Sequence, residues 1–407
     1  MSGPLKGVKV LDLSRVLAGP WCGQVLADMG AEVVKVEKPE TGDDTRQWGP
    51  PFLKDQHGNE TNDAAYFHST NRGKKSIVVD IQTAKGQEII LKLAAEADVL
   101  IENFRVGALQ KYGLDYEALK KVNPKLIYCS ITGFGQTGPY KDRSGYDFMI
   151  QGMGGLMSIS GHGDNEPGGG PMKTGVAITD LTTGMYATIA ILGALYERNS
   201  SGEGQFVDMS LLDVQVSWLA NQNMNYLIGG EAPARKGNSH PNIVPYQVFP
   251  TADGHIIITV GNDKQFASFA KAIGNADLAI DKRFSKASSR VNNRDELVKT
   301  IEVALAKNTS QHWLAVFEQF QVPAGPINNI AQVFADPQII SRGMQFNLPH
   351  PVAGSVPQVA NPIRYSKSKL EYHASSPILG QNTDEVLQAM GLSEQEIVTL
   401  REKGIIE

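Results

Sequence analysis

Val8-Lys9-Val10-Leu11-Asp12-Leu13 opens the chain with an apolar run of strand length. Gly19-Pro20 then punctuates the chain, and Trp21 to Met29 suits a helix. Gly30-Ala31-Glu32 leads into a second apolar run, Val33-Val34-Lys35-Val36-Glu37. A strand, a helix and a strand within about 30 residues make a β-α-β unit, whose two strands run parallel. The pattern repeats. Ser76 to Asp80, Asp98 to Glu102, Leu126 to Ile131 and Gln205 to Ser210 read as strands. Thr83 to Ala95, Val106 to Lys111 and Tyr116 to Val122 read as helices, and a long helix follows the last strand to about Leu227. Strands alternating with helices predict a doubly wound α/β sheet. Ligands of such sheets bind beyond the carboxyl ends of the strands.

The 407 residues exceed the usual size of one domain, so two are expected. Gly229-Gly230 to Asn238 is linker-like. Beyond it, Tyr246 to Pro250 and His255 to Val260 flank Asp253-Gly254, a strong hairpin signal. Helical stretches follow at Asp263 to Ala272, Arg294 to Ala306 and Ser310 to Phe320, and Val322 to Pro326 resembles a second linker. The tail from Gly343 has short strand-like pieces and two helices, near Asp384 to Met390 and Ser393 to Lys403. There is no internal repeat.

Composition excludes several function classes. The net charge is -5 with no basic stripe, so no nucleic-acid partner is expected. Cys22 and Cys129 provide neither a disulfide framework nor metal-ligand spacing, and they suit a reducing cytoplasm. The first residues carry no apolar signal core, and no run of about 18 apolar residues predicts a membrane span. His68, His162 and His240 have no partner at metal-ligand spacing, so no metal is expected.

The chemistry-bearing stretches sit at strand ends and edges. No dinucleotide fingerprint follows the first strand, and no phosphate loop is present. Lys38 follows the second strand, Arg72, Lys74 and Lys75 precede the third, and Phe104-Arg105 leaves the fourth. Together they suit a phosphate and a purine ring. Ser158-Ile159-Ser160-Gly161 does not match a nucleophile elbow. Gly168-Gly169-Gly170 leads to Asp180, just ahead of a helix-compatible run from Gly184 to Glu197. Asp180 reads either as a helix cap or as a catalytic carboxylate beside flexible backbone.

Seven motifs in order resemble the class III CoA-transferase family, which includes formyl-CoA and carnitine CoA-transferases and methylacyl-CoA racemases. They are Leu17 to Pro20, Gly30 to Glu37, Asn71 to Ser76, Glu102-Asn103-Phe104, Gly133 to Pro139, Gly145-Tyr146-Asp147, and Asp180 with Thr183-Gly184. The resemblance runs nearly end to end. Asp43 to Phe52, Asn242 to Gln247 and Gly325 to Asn329 further resemble the branch that moves CoA between succinyl-CoA and glutarate.

The resemblance implies the rest of the reading. It implies a large Rossmann-like domain built from both chain ends (residues 1–225 and 326–407) and a smaller α+β middle domain (226–325), in an interlocked homodimer. Asp180 becomes the nucleophile, forming an anhydride and then an aspartyl-CoA thioester. No tightly bound cofactor is implied, because the CoA thioester is a substrate and a free carboxylic acid the acceptor. CoA contacts carry over to Leu17, Ala18, Lys38, Arg72, Lys75, Val79, Gln82, Asn103, Phe104, Arg105, Lys111 and Arg143. Asp147 and Gly261 match motifs near the substrate. The far carboxylate of a diacid needs a partner, and an arginine fork suits it best. Arg46 beside Trp48 is the first candidate, Arg15 the second, and His240 a neutral donor. Two alternatives share the fold, a methylacyl-CoA racemase and a non-catalytic CoA binder. The racemase needs a histidine where Tyr146 stands, and a phenol with a pKa near 10 is a poor base.

Overall fold

The computed structural model describes residues 2–407. Two compact units divide the chain: residues 1–156, 174–224 and 337–407 form the first, and residues 157–173 and 225–336 the second. This division differs from the expected boundaries: residues 225 and 326–336 fall in the second unit, and so does 157–173 with its glycine run.

The first unit is built on a parallel sheet. Its strands are β1 (Lys9–Asp12), β2 (Glu32–Glu37), β3 (Lys74–Val78), β4 (Val99–Glu102), β5 (Ile127–Thr132) and β6 (Phe206–Ser210). Their order is β3-β2-β1-β4-β5-β6, all parallel, the doubly wound arrangement in which the strand order reverses beside β1. Both faces of the central strands are covered, which is why β1, β2, β4 and β5 read as mainly apolar runs, while the edge strands β3 and β6 carry Lys75 and Asp208. Alternation within each strand sends side chains to two cores. Leu11, Val36, Ile77, Leu100 and Tyr128 face a core shared with helices α1 (Ala84–Glu96) and α2 (Tyr116–Val122) and with two C-terminal helices, Thr383–Ala389 and Glu394–Glu402. Val10, Val33, Val99, Ile101 and Cys129 face the other core, closed by helices Ala18–Asp28 and Ile178–Ser201. Those last two cross closely. A Cβ on Gly184 would lie 2.5 Å from the Ala18 carbonyl oxygen, so only glycine lets the two helices meet there.

Helix Ile178–Ser201 is long and apolar enough to cross a membrane by length and composition alone. Half of its apolar window is buried inside the protein. Val106 to Lys111, expected as a helix, is instead turn-like backbone before a short 3-10 segment at Gln110–Tyr112. One hairpin was not anticipated, Phe52–Lys54 with Glu60–Ala64, while the strand-like pieces expected after Gly343 form another, Gln345–His350 with Gly354–Val359.

The second unit is α+β. Strands Tyr246–Pro250 and His255–Thr259 form the expected hairpin, and Ala324–Pro326 adds a third antiparallel strand. Helices Asp263–Ala272, Arg294–Leu305 and Ser310–Gln319 close its core around Phe249, Phe269 and Phe317.

Candidate active site

Asp180 is the third residue of helix Ile178–Ser201, two positions past the helix start and not at its cap. The cap residue, Ala177, has no side chain to satisfy the first N–H groups. Asp147 does so from another helix. Its Oδ1 accepts from the N–H of Thr179 (2.8 Å) and of Asp180 (3.2 Å), and its Oδ2 accepts from Gln151 Nε2 (2.7 Å). Buried Gln215 adds a hydrogen bond from Thr179 Oγ1 (2.7 Å). The main chain around Asp180 is thus held by side chains distant in sequence.

No cation forms an ion pair with Asp180 among the described residues. Burial, and secondarily the Asp147 carboxylate, push its pKa up to about 7. Tyr66 stands in the same field. Burial and then the charges of Asp180, Asp147 and Asp43 push its phenol up to about 12, so it remains a hydrogen-bond donor. Trp48, 45% exposed, meets the Tyr66 ring edge-on with centroids 5.4 Å apart.

The loop after β1 is clamped at nearly every backbone polar group. Ser14 N–H and hydroxyl donate to Asp12, Ser14 carbonyl accepts from Lys35, and Val16 N–H donates to Asp43. The Asn103 amide grips both polar groups of Arg15, accepting from its N–H (2.9 Å) and donating to its carbonyl (2.7 Å). Val16 has φ +72°, a left-handed conformation that strains a β-branched residue by about 1–3 kcal/mol. Helix Ala18–Asp28 starts directly afterwards, with no side-chain cap on its free N–H groups.

Two cavities meet along this loop. One, of about 420 Å³, holds Asp180 together with Leu17, Ala18, Asn103, Arg105, Lys141, Arg143 and Tyr146. The other, of about 530 Å³, holds Lys38, Val79, Gln82, Lys111 and Tyr112. Arg15, Phe104 and Ala108 line both. The result is a cleft with an uncompensated carboxylate at one end and cations along its length. Such a cleft suits a long anionic ligand whose reactive end reaches the carboxylate.

Comparison with known proteins decides the family. The model of CoA-transferase family III matches residues 5–383. The chain belongs to CoA-transferase family III. It is 52% identical to the succinate–glutarate CoA-transferase of Agrobacterium fabrum, over 96% of this chain and 97% of that one. It is 43% identical to the human succinyl-CoA:glutarate CoA-transferase, over 99% of this chain and 90% of that one. A crystal structure of a CaiB/BaiF family protein from Brucella suis is 50% identical and superposes with TM-score 0.84, covering 96% of this chain and all of that one.

Within this family III chain, the expected contact residues fall into three groups. Leu17, Ala18, Lys38, Val79, Gln82, Asn103, Phe104, Arg105, Lys111 and Arg143 line the two cavities, with Arg15 between them. The Asn103 side chain is engaged by Arg15, so it shapes the loop. Three of the expected cations line neither cavity and are held in ion pairs. Arg72 is buried against Asp28 (2.7 Å) and the Val359 carbonyl. Lys75 bridges Glu32 and Glu385 at the amino ends of β2 and β3, the end of the sheet opposite the one where ligands bind. Arg46 is 3% exposed and gives Nε and NH2 to Glu37, NH1 to Asp63 and a further bond to the Pro377 carbonyl, over the Phe67 ring. Four of its five N–H donors are thus held by the protein itself. His240 and Gly261 lie in the second unit. His240 Nδ1 accepts from Asn242 N–H, and Gly261 N–H donates to Gln265. Among the described residues, no group of three His, Cys, Asp or Glu side chains is arranged to hold a metal.

Sequence reasoning missed Tyr66, Lys141 and the supporting glutamines 151 and 215. Tyr66 sits in the four-residue helix Ala65–His68 after an unforeseen hairpin, so no pattern marked it. Asp147 was marked by its motif alone. Its hydrogen bonds to the start of the Asp180 helix span 32 and 33 residues and leave no local signature.

Proposed function

We propose that this protein moves CoA from succinyl-CoA to a free dicarboxylate such as glutarate, with Asp180 as the covalent carrier. The observation that carries the reading is Asp180 itself, a carboxylate without a cation at the end of a cation-lined cleft. The names of its relatives support the same substrate pair. In the first half-reaction an Asp180 oxygen attacks the thioester carbonyl, and the C–S bond breaks to release CoA thiolate. The resulting acyl-aspartyl anhydride is attacked by that thiolate at the Asp180 carbonyl. Succinate leaves, and an aspartyl-CoA thioester remains. The acceptor carboxylate then repeats the sequence in reverse. Two easier exchanges replace one hard one. Each attack builds an oxyanion, and the uncapped N–H groups at the start of helix Ala18–Asp28 lie at the cavity wall, suited to stabilise it.

The geometry disfavours the racemase. Tyr146, where that reaction needs a base, is 67% exposed, and Asp147 is engaged in capping the Asp180 helix. The assembly we propose is an interlocked homodimer of chains that each fold a large domain from both ends and a small middle one. Apolar side chains stand in solvent on the helix bearing Asp180, with Ile189 61% and Tyr196 80% exposed, which a second copy would cover. The buried, unpaired thiols of Cys22 and Cys129 suit the cytoplasm. One experiment tests the reading: the purified chain, of two-chain mass by light scattering, is given a panel of acyl-CoA donors and acids, and products are weighed by mass spectrometry. Glutaryl-CoA should form from succinyl-CoA and glutarate. Its absence, with loss of stereochemistry at the α carbon of a branched acyl-CoA instead, would establish the racemase.

A further inference from the structure

Resting on the CoA-transfer reading above, we propose that Arg15 sets specificity for diacids by binding the carboxylate that does not react. Among the described residues, Arg15 is the one cation that lines both cavities, including the one that contains Asp180. Its Nε is buried and has no hydrogen-bond partner, so the protein leaves a donor unsatisfied at the junction. An unmet buried donor is costly unless a ligand completes it.

The arginine is also pre-positioned. The Asn103 amide fixes its peptide on both sides, and the strained Val16 next in the chain is tied to Asp43. The guanidinium carbon lies 5.7 Å from the centre of the Phe104 ring, which limits its swing. Its single ion pair, NH1 to Asp44 at 3.1 Å, is half-exposed and exchangeable. Lys38 holds the other Asp44 oxygen at 2.8 Å, so Asp44 keeps a cation when Arg15 turns to a substrate. A planar fork with Nε and NH2 free matches a carboxylate in a bidentate way. Arg46 has no such free fork, since Glu37 and Pro377 take its Nε and NH2 donors and Asp63 one of NH1.

The test uses the full-length chain as wild type, Arg15→Gln and Arg15→Lys. Wild-type CoA exchange is established first; its absence with every donor and acceptor overturns the CoA-transfer reading itself, and the proposal with it. With exchange present, kcat/KM is measured for glutarate and for pentanoate, a monoacid of equal length, and KM for the CoA ester of a monoacid. In Arg15→Gln, kcat/KM for glutarate should fall by about 100-fold, in the range for removing one partner of a buried charge pair. Pentanoate and the monoacyl-CoA should change less than about threefold, because neither presents a second carboxylate to the missing fork. Arg15→Lys should recover part of the glutarate loss, since charge returns without the bidentate geometry. Equal losses on glutarate and pentanoate, or a raised KM for the monoacyl-CoA, would assign Arg15 to CoA or to loop structure and overturn the proposal.

Discussion

Two groups of carboxylates in the first unit are treated in opposite ways. At the ends of β1 and β2, Asp12, Glu37 and Asp43 are all buried, and each has a cation. Lys74 meets Asp12 at 2.8 Å, Arg46 meets Glu37 at 2.7 Å, and Lys35 meets Asp43 at 2.9 Å. Burial alone would raise Asp43, but Lys35 and the Thr45 hydrogen bonds bring it down to about 2. At the start of the Asp180 helix no ion pair forms among the described residues, and burial, with the Asp147 carboxylate second, raises Asp180 to about 7. The paired group holds a loop rigid, while the unpaired group keeps a nucleophile basic near neutral pH. A raised pKa is not sufficient for that role. Burial lifts Glu102 to about 7 as well, yet it is 5% exposed, caps the Phe104 N–H and does not line the Asp180 cavity.

The largest expected effect is at Asp180. Asp180→Ala should lose CoA transfer by at least about 10⁴-fold, the scale seen on deleting a nucleophile. Stability should move the other way. With the folded pKa raised from 3.8 to about 7, the folded chain holds a proton that the unfolded chain has released between those values. Stability therefore falls as pH rises through that window, and the penalty is complete above it. Asp180→Asn should raise unfolding free energy by up to about 4 kcal/mol at pH 8 and by little at pH 4. Thermal melts at the two pH values measure this. An equal gain at both would mean that burial does not disfavour the Asp180 charge.

A smaller effect is expected in the paired group. Lys35→Met strands Asp43 and removes the bond to the Ser14 carbonyl, both inside the protein. Breaking one buried pair should cost about 3–5 kcal/mol, read as a lower urea midpoint with unchanged slope. Activity per folded molecule should also fall, because Asp43 holds Val16. A loss under about 1 kcal/mol would show that the layer is not what fixes the loop.

This contrast also explains what the sequence reveals. The four central strands were legible because both of their faces are buried, so each reads as a mainly apolar run. The ionic layer was not. Lys35 lies within Val33 to Glu37 and looks like an outward residue, yet it is fully buried through Asp43 and Ser14. Arg46 read as a substrate arginine because nothing local identifies Glu37 and Asp63 as its partners. The Asp180 helix begins at Ile178, ahead of the Gly184 that local pattern suggests, because the distant Asp147 replaces a cap that Ala177 lacks. Polar hairpins such as Phe52–Lys54 with Glu60–Ala64 carry no apolar alternation to find.

The finest test removes the Asp147 charge, which adds to burial in raising the Asp180 pKa. In Asp147→Asn the remaining oxygen can still accept from the N–H groups of Thr179 and Asp180, so the helix start should persist. The new amide faces the Gln151 Nε2 donor, so one hydrogen bond is lost, at a cost of about 1 kcal/mol. The negative charge beside Asp180 also disappears. Its pKa should then drop from about 7 by roughly half a unit to one unit, and burial should keep it above the ordinary carboxylate value. The first half-reaction needs ionised Asp180, so kcat/KM for the CoA donor should rise with pH and level off near that pKa. The variant's profile should level off at lower pH. Its plateau should also be slightly lower, because a less basic carboxylate is a weaker nucleophile. An unshifted midpoint with a reduced plateau would mean that Asp147 acts only as a distant cap. In that case burial alone would separate Asp180 from the paired carboxylates.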